Sequence, residues 1–333
     1  MSRISSFVHI RLDVLKAIAL IAATKSGPLG DIRQTDIFAS GAEVSMSCRV
    51  SSLDIHSNSA NSARDSYKIY QMRGHRVYWR LRQICLVAAD LDSVLQSLCA
   101  IFDLEVSYRS KGNDRLGIRN GLIPVGPTFI EVVAPIRDDS AASRFLQRRK
   151  GDGGYMFITD CDDLDRRRAH FAKLALRIIA TMDVKEFAPV RGTQIHPKDC
   201  GGCILAFDQH ELGPDLLAPY YWAGEDWQKS VRTNRVKTIL GADLQSADPE
   251  GMAKQWSKIV ERPVERGPKG EPQINLELGF ARFTHDWDGR GEGLSAVYLE
   301  TVDAAAIYKA AELAQVTSGS GFVEVAGVRW FLS

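Results

Sequence analysis

Glu131 is the side chain in this sequence with the clearest chemical potential. It lies in the run Phe129-Ile-Glu-Val-Val133, where strand alternation places Phe129, Glu131 and Val133 on one face and Ile130 and Val132 on the other. A carboxylate among apolar neighbours loses hydration, so its pKa rises and it becomes suited to general-base work. The competing reading pairs it with a nearby arginine such as Arg119. His196 is the candidate companion, either turning inward to join Glu131 or hydrogen-bonding a ligand. Gln83, Cys85, Phe129, Tyr155 and Met156 are candidate pocket walls, with Gln83 or His196 orienting a substrate oxygen.

Other constellations carry less. Cys200-Gly-Gly-Cys203 has the spacing of half a zinc site or a redox pair, but no second such pair exists, so it reads as small residues beside a turn. His285 and Asp286 fall in an Asp- and Gly-rich loop and read as an exposed turn, and His170 reads as a surface or core-edge residue on an Arg-rich helix. There is no Gly-x-Gly-x-x-Gly opening a helix, no phosphate loop and no Gly-x-Ser-x-Gly elbow.

The elements that must position these groups come from an internal repeat. Gln83 to Asp92 and Met156 to Asp165 share a strand that ends in Asp-Leu-Asp and an acid that caps a helix. After Asp92, the positions Val94, Leu95, Leu98, Cys99 and Phe102 form one helical face, and strands follow near Leu116 to Ile118 and from Thr128 to Val133. The unit is strand, helix, three strands. In the second copy the helix is expected around Asp165 to Leu176, with strands at Arg177 to Thr181 and Cys203 to Phe207. A third copy starts at Ala242-Asp-Leu, with Pro249 opening a helix through Met252, Trp256, Ile259 and Val260. The fourth runs from Leu294 through an Ala-rich helix to Ala314 and ends in short strands between Phe322 and Leu332. Residues 213–233 read as a linker between domains at 79–212 and 234–333, with the second domain degenerate. Tyr220, Tyr221, Trp222 and Trp227 in that stretch suit a ligand lid or packing against either domain.

Composition bounds the rest. The 333 residues are 45% hydrophobic, enough to fill a sizeable core in each of two domains. With 42 basic against 41 acidic side chains, no nucleic-acid partner is expected. The six cysteines lie mostly in apolar runs of a long chain, which fits a reducing, cytoplasmic setting. Residues 7–24 are apolar but interrupted by Arg11, Asp13 and Lys16, so a short amphipathic helix or an unfolded leader is expected there and no membrane span. Residues 25–78 show no clear periodicity, and 1–78 are expected to form a poorly structured extension.

The segments Gln83 to Asp92, Thr128-Phe-Ile-Glu-Val-Val-Ala-Pro135, Gly153 to Asp165 and His196-Pro-Lys-Asp-Cys-Gly-Gly202 resemble the vicinal oxygen chelate superfamily. That superfamily includes glyoxalases, extradiol dioxygenases, methylmalonyl-CoA epimerases and metal-free drug-binding resistance proteins. The resemblance implies an α+β fold of tandem βαβββ modules forming two glyoxalase-like domains, each an open half-barrel with a ligand on its concave face. It also implies a divalent ion acting as Lewis acid, held from the first and last strands of each module. The matching positions in the first domain are Gln83, Glu131, Met156 and Ala206, of which only Glu131 is an ordinary ligand for a hard cation, so no cofactor is expected. In the second domain Phe283 stands where a Glu is expected. The function expected is small-molecule binding on the concave face of the first domain. The alternative is a metal-dependent isomerase, lyase or dioxygenase with Glu131 as ligand or base. A pairing of two copies, with the second domain in a structural role, is a further expectation.

Overall fold

The computed structural model describes residues 78–333, which fall within one compact unit. The expectations for residues 7–24 and for the extension through residue 77 lie outside the described residues. Four strand-helix-strand-strand-strand units follow one another. The first is β1 (Trp79–Val87), α1 (Leu91–Phe102), β2 (Tyr108–Arg109), β3 (Ile118–Val125) and β4 (Thr128–Pro135). After helix α2 (Ala141–Arg149) come β5 (Gly153–Cys161), α3 (Leu164–Lys173), β6 (Ile178–Val184), β7 (Val190–Ile195) and β8 (Ile204–His210). The third unit is β9 (Val236–Ser246), α4 (Pro249–Val260), β10 (Glu265–Arg266), β11 (Pro272–Asn275) and β12 (Phe280–His285). The fourth is β13 (Gly293–Thr301), α5 (Ala304–Leu313), β14 (Ser318–Gly319), β15 (Phe322–Val325) and β16 (Val328–Leu332).

Helices α1, α3, α4 and α5 each start shortly after a long strand ends, and the capping acids are Asp90, Asp163, Asp248 and Asp303. The carboxylates of Asp90, Asp248 and Asp303 accept backbone N–H groups that the first helical turn leaves without partners. Asp163 instead binds Arg166 and Arg167 one turn on. Asp243, aligned by sequence with the acids that lead into helices, lies inside strand β9. Helix α2 has no counterpart in the repeat; Ser140 caps it by accepting the N–H of Ser143.

The strand order is repeated in both halves. In the first it runs β2-β3-β4-β1-β5-β8-β7-β6, and in the second β10-β11-β12-β9-β13-β16-β15-β14. The first and last long strands of every unit pair in parallel: β1 with β4, β5 with β8, β9 with β12 and β13 with β16. Antiparallel pairs β1–β5 and β9–β13 join the units within each half, and both contain register shifts. Such bulges bend and twist a strand, which favours a curled sheet over a flat one. The two halves meet where Leu294 of β13 pairs with Gly154 of β5 and at a parallel bridge between Arg80 of β1 and Leu278, and the sheet stays open.

The apolar core lies on the helix side of the sheet. Trp79, Leu81, Ile84 and Leu86 of β1 share it with Leu95, Leu98 and Phe102 of α1, and with Trp256, Phe283 and Trp330 from the second half. Phe102 packs against Trp330, and Phe157 meets Trp256 edge-on. Phe283 therefore faces this core, and its neighbours Arg282 and Thr284 take the opposite face, which corrects the strand position expected to hold a metal ligand. Among the described residues, no helix is long and apolar enough to cross a membrane. Their five cysteines are free, with Cys200 and Cys203 buried beside the helix-side core.

Candidate functional site

Glu131 occupies the other, open face of the first half. The parallel register places Gln83 beside Phe129 and Cys85 beside Glu131, so alternate residues of β1 and β4 share that face. Glu131 Oε1 accepts from Asn120 Nδ2 at 2.6 Å and Oε2 accepts from Gln83 Nε2 at 2.7 Å. Arg119, considered from sequence as its partner, sits one residue away on β3 and reaches Asp92 instead, at 3.7 Å. The immediate partners of the carboxylate are thus neutral. Burial pushes its pKa above the ordinary range, against the opposing hydrogen bonds from Asn120, Cys85 and Gln83. The Cys85 thiol is itself fully buried, and burial together with the Glu131 carboxylate pushes it well above its usual pKa, which makes it a wall residue with little thiolate character.

The surrounding wall is apolar. Cys85, Val133, Met156, Ile158, Ile204 and Ala206 form a cluster on this face, closed at one end by Phe145 of α2, which meets Tyr155 edge-on at 5.2 Å. The opposite end is roofed by the chain between β8 and β9. Tyr220 stacks on Phe129 and donates from its hydroxyl to Gln83 Oε1 at 3.1 Å. Trp227 packs edge-on against Phe129, and Trp222 Nε1 donates to Asp208 Oδ2 at 2.9 Å. Arg80 and Arg82, buried on β1, bind the carbonyls of Gly213 and Leu216 and hold this strap across the sheet. Arg80 also forms a buried ion pair with Asp160, and burial raises the Asp208 carboxyl to about 6.

His196 is placed elsewhere. It caps the single turn Pro197–Asp199, its Nδ1 accepts the Lys198 N–H at 3.1 Å, and its own N–H binds the Arg177 carbonyl. Its neighbours Ile195 and Cys200 belong to the helix-side core, so the structure does not bring it to Glu131. Gln83, Cys85, Phe129, Tyr155 and Met156 do gather around the carboxylate or along its wall. Two polar residues of this face, Asn120 and Asp208, were missed from sequence, whereas Tyr220 stood among the aromatics expected to form a lid or to pack. The signal available for both was an Asn and an Asp inside strands, where both types are disfavoured.

The ion implied by the superfamily resemblance does not fit this donor set. Met156 is a soft thioether and Ala206 offers no donor, while both Glu131 oxygens already accept amide N–H groups. Gln83 turns its nitrogen toward Glu131, and its oxygen is engaged by Tyr220. The amide orientation follows from these partners, since a carboxylate only accepts.

The sequence matches the family described as Glyoxalase-like domain over residues 84–260, more than half of the chain. The chain belongs to the glyoxalase-like domain family. Among curated relatives, the mitochondrial methylmalonyl-CoA epimerase of Homo sapiens is 25% identical over 131 residues, covering 39% of this chain and 73% of that protein. A solved methylmalonyl-CoA epimerase from Mycobacterium tuberculosis is 26% identical, with a TM-score of 0.35 over 39% of this chain and 87% of its own. A hypothetical protein from Staphylococcus aureus, 11% identical, superposes with a TM-score of 0.55 over 77% of this chain and 98% of its own. This last likeness concerns the fold alone, and it spans most of the described residues.

Proposed function

We propose that this glyoxalase-like chain binds a small organic molecule on the open face of its first half, with Glu131 as the polar anchor in an apolar recess. The observation that carries the reading is the Glu131 carboxylate itself, hydrogen-bonded only to neutral side chains and lined by Cys85, Met156, Ile158 and Ala206. Such a lining with few placed polar groups is the usual character of a small-molecule site. The four repeated units are read two by two as glyoxalase-like domains at 79–212 and 234–333, joined by 213–233. The repeated strand order supports that division.

A second reading is proton transfer beside a carbonyl, with Glu131 as base. The raised pKa of Glu131 favours it, and so does the likeness to proteins named methylmalonyl-CoA epimerase. One experiment separates the two. The full chain is mixed with methylmalonyl-CoA in deuterated buffer and followed by proton NMR, alongside Glu131→Gln. Loss of the α-proton signal with the native chain but not the variant supports the enzyme. Line broadening without exchange supports a binder. No interaction with this thioester or with a broad set of apolar carbonyl compounds, native chain and variant alike, would sink both readings.

A further inference from the structure

The second half has its own polar cluster on the open face, independent of Glu131. Asp243 of β9 and Arg282 of β12 are register partners in a parallel pair, so their side chains leave the same face of the sheet side by side. Both are more than nine-tenths buried, at 6% and 7% exposure. Tyr298 of β13 donates from its hydroxyl to Asp243 Oδ2 at 2.9 Å, while Asp243 Oδ1 has no hydrogen-bond partner. The Arg282 guanidinium lies between two rings, 4.5 Å from the Phe280 centroid and 4.7 Å from that of Tyr298, and Nε donates to Gln273 Oε1 at 3.0 Å. Among the described residues it forms no ion pair.

A buried guanidinium stays charged, so burial without an anion leaves its fork of donors poorly answered. A buried carboxylate oxygen without a donor is similarly costly. A carboxylate oxygen without a donor beside a guanidinium without an ion-pair partner therefore points to a ligand. The guanidinium suits a carboxylate, which it can grip with two parallel hydrogen bonds, and Asp243 Oδ1 suits a hydroxyl or ammonium on the adjacent carbon. Phe280, Tyr298 and Phe331 supply aromatic surface beside them, with Tyr298 stacked on Phe331 at 4.8 Å.

We propose that the open face of the second half is a separate binding site for small 2-hydroxy or 2-amino acids, with Arg282 receiving the carboxylate and Asp243 Oδ1 accepting from the neighbouring donor. The site does not depend on the reading given for Glu131. Asp243 accepts more strongly when ionised, and burial raises its pKa to about 7. The groups acting on it are Arg282 of β12, Tyr298 of β13, and Glu271 and Lys269 before β11. Binding therefore tightens as pH rises through that value.

The test is calorimetric titration of the full chain with phenyllactate, and with 3-phenylpropionate, which lacks the hydroxyl. Phenyllactate is expected to bind saturably, with 3-phenylpropionate weaker by about tenfold or more. Arg282→Met should abolish binding, and Arg282→Lys should leave a weakened site. Asp243→Asn should bind with the same affinity on either side of neutral pH, whereas the native chain tightens at the alkaline side. Circular dichroism checks that each variant is folded. Absence of saturable phenyllactate binding, equal affinity for both acids, or undiminished binding in a folded Arg282→Met protein would each overturn the proposal.

Discussion

Tyr220 lies flat on Phe129, with ring centroids 4.3 Å apart and planes 8° from parallel, and its hydroxyl holds Gln83 in the orientation that serves Glu131. A residue from the chain between the halves thereby fixes the amide beside the candidate anchor. Tyr220→Phe keeps the stack but strands the buried Gln83 oxygen, at a cost of about 1–3 kcal/mol. Tyr220→Ala also loses the ring and should cost about 3–5 kcal/mol. Urea unfolding of the two variants gives both numbers; equal losses would show that the hydroxyl, and not the stack, holds the strap.

The Asp208 carboxyl gives the first half a pH dependence of known sign. Burial lifts its pKa from 3.8 to about 6, against the attraction of His210 and the Trp222 hydrogen bond. Between those values the folded chain holds more protons than the unfolded one, so this group's contribution to stability falls as pH rises through the window and is level above it. Asp208→Asn should remove a decline on the order of 2–3 kcal/mol between about pH 4 and pH 7. Denaturant midpoints across that range measure it, and Trp222 emission in the native chain should titrate over the same interval.

Asp160 answers the buried charge of Arg80 and also lies 3.5 Å from His210 Nδ1. Asp160→Asn keeps the shape and deletes the charge. Removing one partner of a buried pair costs about 3–5 kcal/mol, far more than the pair adds over an apolar substitute. Thermal denaturation should show the loss, and Arg177→Gln, which breaks an exposed pair with Asp199, should scarcely shift the transition.

Gly154 of β5 pairs with Leu294 of β13 across the two halves. A Cβ there would come within 2.5 Å of the Leu294 carbonyl oxygen, a backbone atom with no room to yield. Gly154→Ala is expected to cost about 1–3 kcal/mol through overpacking. The loss should appear as faster hydrogen exchange at β5 and β13 in particular; protection unchanged at both strands would show that the seam adapts.

The repeated units were legible because each follows a strand with an aspartate and a helix whose apolar face has the proper spacing, as at Val94, Leu95 and Leu98. The open face was legible only in part. Glu131 stood out through strand alternation, but its amide partner Asn120 lies in a different strand and Tyr220 is 137 residues from Gln83. Long-range pairing of that kind depends on register, which a local pattern does not contain. Register also explains Phe283: a shift of one residue reverses which side of the sheet it faces, and so Arg282 was overlooked. His196 has a suitable residue type, but it follows the strand-ending Ile195, a core residue, into a tight turn that commits its ring to a local cap.

The repetition of one strand order has a consequence for charge. The strands that close the units of the first half, β4 and β8, present Glu131 and Asp208, whereas their counterparts β12 and β16 present Arg282 and Arg329. A single backbone plan, used twice, thus carries carboxylates at these strand positions in one half and guanidiniums at the matched positions in the other, so side-chain exchange alone changes what each open face offers a ligand, with the scaffold itself left unaltered.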